Sequence, residues 1–126
     1  MSNDSGNRYE ALERIFHEPS RMSIMSALCA ADGGLSFNQL RETCALTDGN
    51  LNRHLKTLQE AGAVTIRKTF VAEKPRTTVY LAKEGLERFQ QYLEALADVL
   101  HAARRALPAE DRRRARAVPF GRTAEA

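Results

Sequence analysis

Between Leu35 and Gly62 the chain reads LSFNQLRETCALTDGNLNRHLKTLQEAG. Its apolar spacing predicts two short helices joined by a tight turn. Ser36 caps the first, Gln39 three residues on closes a capping box, and Leu40 faces inward. Ala45 and Leu46 end that helix. Thr47 offers a hydroxyl cap to a second one, in which Leu51, Leu55 and Leu58 follow the i, i+4, i+7 pattern before Gly62 stops it. At about 100° per residue, Gly49, Asn50, Arg53, Lys56 and Thr57 lie opposite the leucine stripe, with Asn52 and His54 on its flanks.

The pattern then changes period. Ala63 to Thr69 (AVTIRKT) and Thr77 to Leu81 (TTVYL) alternate with β-branched residues, which predicts a hairpin across FVAEKPR. On that reading Lys74, Pro75 and Arg76 form a basic tip, with Arg67 and Lys68 on the strand below. Upstream, Tyr9, Leu12, Ile15 and Phe16 share one face of a helix in RYEALERIFHE that ends before Pro19. A further helix starts at Pro19, buries Met22, Ile24, Met25, Leu28 and Cys29, and breaks at Gly33 and Gly34. Its Arg21 reads as an ordinary surface residue. Downstream, Lys83 to Leu107 forms one long helix halted by Pro108. In it Leu86, Phe89, Leu93, Leu96, Leu100, Ala103 and Leu107 alternate steps of three and four, the a/d seam of a coiled coil. Folding back on its own domain accounts for the first half of this seam. Leu100 to Leu107 extends beyond what a small domain covers and predicts a partner helix.

Helix, turn, helix and hairpin together make a winged helix. The residues NLNRHLKTLQEAGAVTIRKTF followed by PRTTVYLAKEG resemble the winged-helix transcriptional regulators, similar to the ArsR-like and MarR-like groups and above all to the short stand-alone winged-helix DNA-binding regulators. The resemblance spans residues 9–100. It implies a mainly α fold with a small β-hairpin wing (α+β) and long N- and C-terminal dimerisation helices at 8–17 and 83–107. In such a homodimer Tyr9, Leu12 and Phe16 would join Leu86, Phe89, Leu93, Leu96, Leu100 and Leu107 at the interface. Two reading helices about 34 Å apart would meet successive major grooves of a palindromic operator.

Composition and charge support a nucleic-acid reading without deciding it. At 126 residues the chain is expected to be one domain, with residues 1–7 a polar leader and 108–126 a basic, disordered tail carrying Arg112, Arg113, Arg114 and Arg116. It has no run of about 18 apolar residues and no signal-peptide core, and its two cysteines fit a reducing cytoplasm. The net charge of +3 is unevenly spread. Residues 41–83 hold eight Lys or Arg against four acids and residues 104–126 seven Arg against three, whereas residues 1–40 and 84–103 are net acidic. Positive charge therefore concentrates on the second helix, the wing and the tail.

The candidate DNA contacts are Thr47, Gly49, Asn50, Asn52, Arg53, His54, Lys56 and Thr57 on the helix, and Lys68, Lys74 and Arg76 on the wing. Asn pairs bidentately with adenine and Arg with guanine, Lys and Thr serve bases or phosphates, and a glycine lets the helix end approach closely. A solvated helix face is the competing reading. No catalytic motif spacing, glycine-rich phosphate loop or metal set is present, so an enzyme is not expected, nor any cofactor. Cys29, Cys44, His17, His54 and His101 have no partner at metal-ligand spacing. An unidentified small-molecule effector stays open, with Phe37, Met22, Met25 and Tyr92 as possible lining residues. The reading is a sequence-specific, double-stranded-DNA-binding repressor without membrane contact. The alternative is a winged helix that binds another protein, which would place exposed aromatics or leucines on the outer helix face.

Overall fold

The computed structural model describes residues 13–111 and 113. Their elements are α1 (Pro19–Ala30), β1 (Leu35–Ser36), α2 (Phe37–Cys44), α3 (Asp48–Glu60), β2 (Val64–Val71), β3 (Lys74–Leu81) and α4 (Lys83–Ala106). This is the winged helix expected from the sequence. Local chemistry sets the helix ends. Pro19 opens α1, and the Glu18 carboxylate accepts the Arg21 backbone N–H. Ser36 and Gln39 form the reciprocal capping box of α2, and the Thr47 hydroxyl accepts the Asn50 N–H at 3.2 Å. After α3, Gly62 turns the chain at φ +78°, a conformation that favours glycine.

The sheet is antiparallel in the order β1-β3-β2. The two residues of β1 pair with β3, Leu35 opposite Val79 and Ser36 opposite Thr78. The sequence had shown Leu35 and Ser36 only as the lead into a helix. The wing also differs from the expected hairpin. β2 and β3 pair without interruption from Val64 opposite Leu81 to Val71 opposite Lys74, so the turn is only Ala72 and Glu73, at φ 53° and 66°. Lys74, Pro75 and Arg76 therefore stand in a strand. Val71 and Lys74 flank a two-residue turn as a hydrogen-bonded pair, which makes Phe70 and Pro75 the next, non-hydrogen-bonded pair. The proline nitrogen points away from β2, and no ladder bond is lost.

One core joins every helix to the sheet: Ile24, Met25 and Leu28 of α1, Leu40 of α2, Leu51, Leu55 and Leu58 of α3, Val64 and Val79 of the strands, and Phe89 and Tyr92 of α4. Cys29, expected inward, is exposed on α1, while Cys44 packs against the core.

The chain before α1 departs most from the expected picture. Residues 13–17 form turns rather than the end of a helix. Phe16 is fully buried, its ring edge-on to Phe89 at 5.3 Å and tilted to Tyr92 at 5.8 Å, with the Arg88 guanidinium 5.7 Å from its centre. Arg88 also donates to Glu13 at 2.8 Å and to the Ala61 carbonyl at 2.6 Å. Phe16 and Phe89 thus belong to this domain's own core, not to an interface between subunits. Tyr9 and Leu12 lie outside the described residues, as does the leader.

The expected α4 seam divides accordingly. Gly85, Phe89, Tyr92 and Ala95 form the buried face, and Leu96 packs beside them. Leu86 and Leu100 are half-buried, while Leu93 and Leu107 are exposed. The helix sits so close to the α3–β2 junction that a Cβ on Gly85 would lie 2.1 Å from the Ala63 carbonyl oxygen. Past Pro108, residues 109–111 and 113 are helical, contrary to the expected disorder, and the rest of the tail lies outside the described residues.

Candidate nucleic-acid interface

The leucines of α3 leave one side of that helix to solvent. Gly49, Asn50, Asn52, Arg53 and Lys56 are exposed and Thr57 is half-exposed. The face is partly ordered by its own bonds. Arg53 donates to the Asn50 side-chain oxygen at 3.1 Å, and the Thr57 hydroxyl donates back to the Arg53 carbonyl at 3.1 Å. Such i, i+3 and i, i+4 pairings fix side-chain direction on a helix surface. The Asn50 amide donors and the rest of the Arg53 fork remain directed outward. At the helix start, Asp48 pairs with Arg41 of α2 at 2.9 Å. The Thr47 hydroxyl, expected among the DNA contacts, accepts the Asn50 N–H as the helix cap.

His54 departs from its expected place. It is only 4% exposed, so it cannot flank a base-reading surface. Its Nδ1 accepts from Arg21 Nη1 at 3.2 Å. An arginine only donates, which requires a neutral ring with its proton on Nε2. Burial pushes the His54 pKa down, the nearby Glu18 carboxylate opposes this, and Arg53 and Arg21 add to it. The Glu18 oxygen lies 3.8 Å from Nδ1. Burial resists the charge on Glu18 too, but backbone N–H bonds from Arg21 and Ser20, with the Arg21 charge, hold its pKa below the ordinary value. Arg21 is likewise no idle surface residue, since its Nε donates to the Ile15 carbonyl at 2.7 Å. This cluster ties α3 to the start of α1 and sets the angle of the outward face.

Strand alternation splits the wing into two faces. Val64, Ile66, Lys68 and Phe70 share one with Leu81, Val79, Thr77 and Pro75. Arg67, Thr69 and Val71 share the other with Tyr80, Thr78, Arg76 and Lys74. The predicted wing cations are therefore not one cluster. Lys68 faces α3 across a groove lined by Phe37, Asn52, Leu55, Lys56, Gln59, Ile66 and Thr77. Lys74 and Arg76 stand on the opposite face with Arg67, which lies 5.6 Å over the Tyr80 ring. Gln59 joins the groove without having been singled out, although its position three residues after Lys56 could have suggested it.

The residues considered for an effector site do not converge. Met25 and Tyr92 are fully buried in the core, the Tyr92 hydroxyl meets His17 Nδ1 at 2.8 Å, Met22 packs against the core, and Phe37 lines the wing groove. Among the described residues no group of three or more His, Cys, Asp or Glu could hold a metal ion, and no helix is long and apolar enough to cross a membrane. What the site offers is a helix face rich in hydrogen-bond donors, flanked by a basic β-ribbon and separated from it by an open groove.

A family model described as a winged helix DNA-binding domain matches residues 20–100. An uncharacterized protein of Methanocaldococcus jannaschii is 34% identical over 80 residues, covering 64% of this chain and 86% of its own. Among solved structures, the transcriptional regulator homologue from Pyrococcus horikoshii OT3 superposes with a TM-score of 0.70 at 29% identity, covering 79% of this chain and 98% of its own. A MarR-family transcriptional regulator from Silicibacter pomeroyi shares the fold with a TM-score of 0.55 at 19% identity, over 86% of this chain and 71% of its own.

Proposed function

This chain belongs to the winged helix DNA-binding domain family of transcriptional regulators, and from that membership we propose that it is a cytoplasmic homodimeric repressor that reads a palindromic operator and occludes a promoter. The observation that carries this reading is the exposed side of α3, where Asn50, Asn52, Arg53, Lys56 and Thr57 face out beside the basic wing. Asn50 and Arg53 read base edges, and their mutual hydrogen bond orders both before DNA arrives. Lys56 and Thr57 serve bases or the nearest phosphates. Gly49 and the Thr47-capped start of α3 let backbone N–H groups approach a phosphate. Lys68, across the groove from Lys56, straddles the same sugar-phosphate strand, and Lys74 and Arg76 hold backbone beyond it.

Dimerisation uses the part of α4 that the core leaves free. Leu93 and Leu107 are exposed and Leu100 is half-buried, while Leu86 and Leu96 border the strip. Apolar positions repeated along one side of a long helix favour a second helix as cover. A protein-binding winged helix is the weaker reading because the outer side of α3 carries no exposed aromatic or leucine.

Selection of random duplex DNA on the purified chain tests the proposal, followed by titration of the winning sequence at several salt concentrations. A palindrome with half-sites one helical turn apart and a steep salt slope is expected. Enrichment of nothing beyond random sequence would refute specific reading.

A further inference from the structure

The far end of the wing carries a large apolar side chain that the core does not use. Phe70 is 75% exposed and its neighbour Val71 49%. Phe70 lies on the face that lower down holds Ile66 and Lys68, opposite Pro75. Ile66 packs against the core, and four residues of extended chain put Phe70 about 13 Å farther out. Pro75, whose φ is fixed, stands opposite Phe70 on the next strand, in a non-hydrogen-bonded pair of the kind whose side chains approach closely. Between residues 67 and 76 the ribbon carries Arg67, Lys68, Lys74 and Arg76 against the single carboxylate of Glu73. An aromatic ring presented on a cationic ribbon, on the same sheet face as Lys68 and Ile66 of the groove beside α3, is complementary to stacked bases framed by phosphates.

Resting on the DNA-binding reading above, we propose that Phe70, backed by Pro75, is a wedge that enters the minor groove beside the major groove held by α3 and kinks the duplex by parting one base step. Minor-groove proteins use Phe and Pro in this way, producing bends of about 20–90°. The minor groove is about 6 Å wide and admits the ring edge-on. Lys68 on one face of the ribbon and Lys74 and Arg76 on the other neutralise the two phosphate strands that close around it. Because pyrimidine–purine steps unstack most readily, the wedge selects a flexible step at a position that α3 does not touch.

The test uses the intact protein and the duplex recovered by the selection above, labelled at both ends for energy transfer. The wild-type chain shortens the end-to-end distance, Phe70→Leu retains the bend, and Phe70→Ala straightens the duplex and loses affinity on the order of tenfold. Phe70 is exposed, and circular dichroism of each variant verifies the fold. Equal bends for wild type and Phe70→Ala, with both bound, would overturn the wedge while leaving DNA binding intact. Failure of the wild type to bind any duplex removes the DNA reading and the wedge together. Loss of the dimer in Phe70→Ala without DNA would also overturn the proposal, since Phe70 would then be a contact between copies.

Discussion

Replacing Gly85 by alanine sets two effects of known size against each other. In a helix, Gly→Ala stabilises by up to about 1 kcal/mol. Here the added Cβ would sit 2.1 Å from the Ala63 carbonyl oxygen and 2.7 Å from the Ala63 carbonyl carbon and Cα. Ordinary contact is about 3.5 Å, so α4 or the Ala63 peptide must retreat by roughly 1 Å. All three near atoms are backbone and cannot rotate aside. That same carbonyl accepts the Ala82 N–H at 3.0 Å, and Arg88, one turn on, is bound to the Ala61 carbonyl. A retreat therefore strains two anchors of α4 at once. Overpacking of this kind costs about 1–3 kcal/mol, more than the helix gains. Gly85→Ala should be less stable than the wild type by about 1–2 kcal/mol, measured as a lower urea midpoint at unchanged slope. A midpoint equal to or above the wild type would refute the close approach of α4 to the α3–β2 junction.

Other perturbations separate function from stability. Arg53→Ala should leave the urea midpoint unchanged, weaken operator binding by about 1–3 kcal/mol and relax preference at one base position; unchanged affinity and preference in a titration would remove Arg53 from the reading set. His54 is held below its ordinary pKa of 6.5 in the folded chain, so below that pH the unfolded chain takes up a proton that the fold refuses, and stability declines with acidity. Urea midpoints followed downward from pH 7 should show this decline, and His54→Gln should flatten it; identical pH slopes for the two chains would rule His54 out as its source. Glu73→Gly relieves a left-handed residue in the wing turn and should raise stability by about 0.5–1 kcal/mol while tightening binding to duplex DNA; a lower thermal midpoint would contradict the turn geometry.

What was legible in the sequence depended on how local its cause was. Ser36 with Gln39, Thr47, Pro19 and Gly62 act on backbone within one turn, and each marks a helix end where the sequence indicated it. The wing turn was misplaced because Ala72 and Glu73 adopt positive φ without the glycine or asparagine that usually announces such a turn. Pro75 looked like a loop residue, since its harmlessness depends on which way its nitrogen faces in the ladder. Periodicity showed that α4 has apolar positions, but Phe89 meets Phe16 whereas Leu93 meets solvent. A stripe does not record what covers it. His54 illustrates the same limit, because its burial arises from Arg21 and Glu18, thirty-three and thirty-six residues earlier.

The aromatic cluster that seats Phe16 against Phe89 and Tyr92 governs when the domain can finish folding. Glu13 and Arg88, which clasp beside it, are 75 residues apart in sequence. During synthesis the capped helices and the hairpin emerge with most of their local contacts available, yet the hydrophobic floor beneath them stays open until α4 clears the ribosome. Such long-range closure slows folding relative to local contacts. The exposed face of α3 thus gains its final support from α4, which is made after it, and a nascent chain stalled before Phe89 would present the cationic ribbon on an incomplete body.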